Sequence, residues 1–107
     1  MAEKMSRSKI DKRWKADEDY YCKDLGLKRL GHIRRGVACA DGENDVFSVD
    51  ITESKGLKFL DKELIDAQAH TSGARLPLVI TRLLQKDRGD AIVSMRYRDF
   101  KAWFGGG

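Results

Sequence analysis

With 107 residues, 41% of them hydrophobic, and a single proline, the chain has room for one domain around a modest core. Charged residues make up 36%, yet apolar clusters recur from Val46 to the C-terminus, which excludes a wholly disordered chain. The net charge of +4 is concentrated early, with eleven Lys and Arg against six Asp and Glu in residues 1 to 35, a distribution that suits a polyanion such as nucleic acid or a solvated basic surface.

The first 8 residues read as a basic tail, residues 9 to 104 as one domain, and residues 105 to 107 as a glycine tail. Ser8 or Asp11 is placed to cap a helix running to about Leu25, carrying Ile10, Trp14, Tyr21 and Leu25 near helical spacing and ending at Gly26. Leu30 to Ala40 alternates weakly around Gly31 and Gly36 and reads as an irregular strand, followed by a turn at Asp41-Gly-Glu-Asn. Val46 to Thr52 alternates strictly, so Phe47, Val49 and Ile51 face one way and Val46, Ser48, Asp50 and Thr52 the other.

Helical spacing returns through Leu57, Leu60, Leu64, Ile65 and Ala67, and Gly73 follows the helix. Leu76-Pro-Leu-Val-Ile-Thr-Arg-Leu reads as a buried strand with proline at its start. Asp90 to Arg96 forms another strand, and Tyr97 to Phe104 a closing helix. The predicted fold class is α/β, a mixed sheet flanked by helices. Cys22 and Cys39 fit neither a disulfide framework nor zinc spacing and suit a reducing compartment. The polar start and the lack of a run of about 18 apolar residues predict a cytoplasmic chain without membrane partners.

The chemistry concentrates between Asp41 and Lys55. An acid near a turn, a second acid on a strand and a lysine two positions beyond an acid are the parts that metal-assisted phosphodiester hydrolysis uses. Carboxylates hold Mg²⁺, and a cation beside the metal orients water or stabilises charge. A solvated acidic turn has the same composition. His32 and His70 lack matching ligand partners and read as structural or solvated. Trp14, Phe100, Trp103 and Phe104 read as packing residues, an exposed member being available to a dimer interface.

Several segments, in order, resemble a known family. They are Lys12-Arg-Trp-Lys-Ala-Asp-Glu18, Arg34-Arg-Gly, the acidic stretch, Asp66-Ala-Gln68-Ala, Leu76-Pro-Leu-Val-Ile and Met95-Arg-Tyr-Arg-Asp-Phe. Together they resemble the PD-(D/E)xK nuclease superfamily, and within it the small resolvase-like endonucleases of archaea, phages and prophages that cut Holliday junctions.

The resemblance implies a restriction-endonuclease-like core of α-β-β-β-α-β-β-α type and Mg²⁺-dependent cutting of branched DNA, with Mn²⁺ as a substitute. It implies metal binding by Asp41, Asp50 and Glu53, a catalytic Lys55 supported by Glu18 and Gln68, and phosphate contacts from Arg34 and Arg35. It also implies a twofold homodimer, since a four-way junction is cut at two points. Three registers of the motif compete. Asp41 with Asp50 leaves Thr52 at the lysine position. Asp41 with Glu53 and Lys55 completes the set but puts Glu53 on the apolar face, so that a bulge is needed. Asp45 with Glu53 is tight for a strand pair. A nucleic-acid binder without catalysis is the alternative function.

Overall fold

A computed structural model describes residues 7–30 and 39–105, with side chains of the first helix from residue 15 onward. Helix α1 spans Arg7–Leu25, β1 Lys28–Arg29, β2 Gly42–Glu43 and β3 Phe47–Ser54. Helix α2 follows at Leu60–His70, then β4 at Leu76–Leu83, a 3-10 turn at Arg88–Asp90, β5 at Ile92–Ser94 and α3 at Tyr97–Phe104. The result is an α/β domain with a five-stranded mixed sheet, ordered β1-β2-β3-β4-β5. Among the described residues, no helix is long and apolar enough to cross a membrane.

Helix α1 starts at Arg7, two residues before the predicted domain start, and stops at Gly26, whose φ of +66° is open to a residue without a Cβ. The predicted turn at Asp41 to Asn44 is instead half strand. Gly42 and Glu43 pair antiparallel with Val49 and Ser48 on one side and with Arg29 and Lys28 on the other. The turn falls one step later, where Asn44 Oδ1 accepts from the backbone N–H groups of Val46 and Phe47 at 2.9 and 2.7 Å. Most of the predicted Leu30 to Ala40 strand, with Arg34, Arg35 and His32, lies outside the described residues.

β3 and β4 run parallel in unbroken register from Phe47 opposite Leu76 to Ser54 opposite Leu83, joined by the α2 crossover. β5 pairs antiparallel with β4. Alternation along these central strands sends neighbouring residues to opposite layers. Val49, Ile51, Leu76, Leu78 and Ile80 pack with Tyr21 and Cys22 of α1 and with Leu27. Val79 packs with Leu64 and Ala67 of α2. Ile65, expected on the apolar side of α2, is 55% exposed.

Helix α1 is fixed by charge as well as by apolar contact. Asp17, 1% exposed, accepts from Arg82 of β4 at 2.5 Å and from Arg88 of the 3-10 turn at 3.0 Å through the same Oδ1. Tyr21 Oη donates to the Arg88 carbonyl at 2.8 Å. Packing between α1 and the sheet is tight at Gly42, where a Cβ would lie 2.6 Å from Cys22 Sγ and 3.3 Å from Leu27 Cβ. Gly42→Ala is therefore expected to cost about 1–3 kcal/mol by overpacking. A Cys22→Ala partner change, which opens that space, should recover part of the loss in a thermal double-mutant cycle.

Helix α3 departs from expectation in burial. Phe100, Trp103 and Phe104, expected to pack, are 50%, 41% and 56% exposed, with Tyr97 at 77%. Tyr97–Phe104 forms a strongly amphipathic helix whose aromatic face is only partly covered by the domain.

Candidate active site

β3 carries the site because its two faces do different work. Its apolar residues enter the α1 layer, so Asp50 and Thr52 project to the α2 side, toward the end of the crossover helix. β2 lies beside β3 and brings Asp41 to the same place. The Asp41 backbone N–H donates to the Val49 carbonyl at 3.0 Å, and Asp41 Oδ2 accepts from the Ile51 backbone N–H at 2.7 Å. Helix α2 closes the third side with Glu63, Asp66 and His70, whose spacing of three and four residues puts them on one face. These groups, with Cys39, Ile51, Thr52 and Val79, line a cavity of about 290 Å³. A groove of about 600 Å³ along α1 is larger, but mostly exposed helix residues such as Asp19, Tyr20 and Lys23 line it.

The electrostatics of the cavity are those of buried carboxylates, with neighbouring acids adding to the effect of burial. Burial pushes the Asp41 carboxyl up to about 7; the charges of Glu18 and Asp50 add to this, while the Ile51 N–H and His70 oppose it. Burial likewise raises Asp50, against the hydrogen bond from His70. His70 Nδ1 lies 2.9 Å from Asp50 Oδ2. Glu63 Oε2 is buried with no hydrogen-bond partner among the described residues.

The acids proposed from sequence separate cleanly. Asp41 and Asp50 meet at the cavity. Glu53 belongs to the opposite face of β3 and lines a small cleft with Arg82, Leu84 and Gln85, as expected from its phase with Phe47, Val49 and Ile51. Asp45 is exposed in the turn before β3. Thr52 lines the cavity at the lysine position of the Asp41 and Asp50 register, and Lys55 is exposed on the loop after β3 and is not among the lining residues. Glu18 is buried near Asp41, but its Oε2 accepts from Arg29 at 3.0 and 3.3 Å. Gln68 is exposed and accepts from Arg98 at 3.2 Å.

His70, read from sequence as structural or solvated, is the residue that the sequence reading missed. The available signal was its i, i+4 and i, i+7 relation to Asp66 and Glu63 on one helix face.

The donor set suits a hard cation. Carboxylate oxygens dominate it, and a divalent charge would offset both the burial that raises Asp41 and Asp50 and the lesser repulsion between neighbouring acids. Among the described residues, no group of three or more His, Cys, Asp or Glu side chains is placed to hold a metal ion by itself. Mg²⁺ needs fewer protein ligands, since it is usually held by one or two carboxylates together with waters and substrate phosphates. Comparison of the chain with family models, with curated proteins and with solved structures found no match to any of them.

Proposed function

We propose that the protein is a Mg²⁺-dependent DNA endonuclease acting on branched DNA, with Asp41 and Asp50 as the cation-binding pair. The observation that carries this reading is the convergence of these two carboxylates, nine residues apart in the chain, on one cavity where both are raised above their ordinary range. The α-β-β-β-α-β-β-α order supports a restriction-endonuclease-like core, and the basic N-terminal third supports a phosphate-rich substrate. Bound Mg²⁺ would neutralise the scissile phosphate and acidify a water molecule. Asp41 and Asp50 would hold the ion, the Ile51 N–H would fix the Asp41 carboxylate, and Glu63 and Asp66 would add negative potential.

Thr52 at the cavity and the absence of Lys55 from its lining favour a second reading, a junction-binding protein without catalysis. Incubation with a labelled four-way junction and Mg²⁺ separates the two. Paired symmetric cuts that disappear in Asp50→Ala are the expected result, whereas tight binding without cutting, unchanged by the metal, would leave only the binder. Binding in either case should weaken steeply with salt, as counterion release requires.

Symmetric incision also calls for two copies, and the aromatic face of α3 supports a second chain as its cover. Four aromatic side chains, 41% to 77% exposed, offer about 400 Å², roughly half of what each partner buries in a standard interface. Phe100→Asp is expected to shift the protein from dimer to monomer in sedimentation, and a wild-type monomer would refute the assignment.

A further inference from the structure

His70 sits where α2 ends, and the end of that helix is well fixed. Thr71 Oγ1 donates to the Ala67 carbonyl at 2.8 Å and the Thr71 N–H to the Gln68 carbonyl at 3.3 Å, so the imidazole is carried by a rigid element. Across the cavity, the Asp50 side chain is 18% exposed and the His70 side chain 26%, so their 2.9 Å contact is partly shielded from competing water. Asp50 has three other carboxylates around the same cavity. Without His70, only the lesser hydrogen bond from the Asp41 backbone N–H would hold its carboxylate against repulsion from them. The imidazole holds one of its oxygens and thereby selects one orientation.

We infer that His70 is the positioning residue of the cation site, holding the Asp50 carboxylate in the orientation in which it meets a divalent ion. This rests on the cation-binding reading of Asp41 and Asp50. It assigns to the crossover helix a role that the motif in the strands does not contain. Hydrogen-bonding partners of metal-binding carboxylates generally contribute 10- to 100-fold in metal affinity or activity, and a loss of about that size is expected when the contact is removed.

The test is Mn²⁺ binding to the intact chain, by calorimetry and by electron paramagnetic resonance of free Mn²⁺, with no DNA present. His70→Ala should weaken binding about 10- to 100-fold. His70→Asn, whose amide nitrogen falls near the place of Nδ1, should keep most of the affinity. Circular dichroism establishes that each variant is folded. Should His70→Ala fail to fold, His70→Gln, whose longer amide misplaces the donor, is compared with His70→Asn instead. Equal Mn²⁺ affinity of wild type and His70→Ala overturns the positioning role and leaves the Asp41 and Asp50 reading standing, as does a His70→Asn variant that binds no better than His70→Ala. A wild-type chain that binds no Mn²⁺ overturns the cation site and this inference together.

Discussion

Asp17→Ala is expected to destabilise the fold by about 3 kcal/mol or more, the cost of breaking a buried ion pair from one side. The carboxylate is almost fully enclosed, with its side chain 2% exposed, while Arg82 and Arg88 are 23% and 33% exposed. Its removal leaves two guanidinium groups facing a hole between α1, β4 and the 3-10 turn. Their partial exposure lets water return to them, which holds the loss near the lower end of the range. Asp17→Asn keeps an acceptor in place and should cost less. Urea denaturation measures both; a loss below about 1 kcal/mol in the alanine variant would show that apolar packing alone fixes α1.

Asp41→Asn should have an effect whose size depends on pH and whose direction depends on cations. In the unfolded chain this carboxyl ionises at its ordinary value of 3.8, and in the folded chain at about 7. Between those values the folded protein retains a proton that the unfolded chain has lost, so stability falls as pH rises through the window and the full loss is present above pH 7. Asparagine carries no charge and can still accept the Ile51 N–H.

The variant should therefore gain on the wild type as pH rises from 4 to 7, reaching about 1–3 kcal/mol at pH 8 after allowance for partial solvation. Saturating Mn²⁺ should cancel or reverse this gain. It stabilises the wild type by about 2.7 kcal/mol at a hundred times the dissociation constant and leaves the variant unchanged. Thermal midpoints across pH, with and without Mn²⁺, supply the test, and parallel curves for the two proteins would remove Asp41 from the site.

Periodicity made the long elements legible. β3 announces itself by strict alternation, β4 by an apolar run, and the first two helices by their spacing. The two-residue strands β1 and β2 are too short to carry a period. They exist because backbone groups find partners across the chain, as when the Leu30 N–H reaches the Asp41 carbonyl at 3.0 Å. A turn reading of Asp41-Gly-Glu-Asn was natural for those residue types, yet the close seat of Gly42 against Cys22 draws it into the sheet.

In the site, phase along β3 was enough to prefer Asp50 over Glu53. It could not reveal His70, twenty residues from Asp50 and brought back only by a parallel crossover. The partners of Glu18 and Gln68 were hidden for the same reason, since Arg29 and Arg98 approach through tertiary structure.

The two-faced character of β3 bears on how the chain reaches its native state. Sliding β3 by one residue against β4 would turn every side chain over. Asp50 would then enter the layer of Tyr21, Leu78 and Ile80, and Val49 would enter the cavity. Burying an unpaired carboxylate among apolar groups is severely unfavourable, so the misaligned sheet is rejected during folding. Asp50 thus also acts as a checkpoint for strand alignment, and replacing it with valine would weaken the discrimination between the two alignments even in a protein never asked to bind a metal.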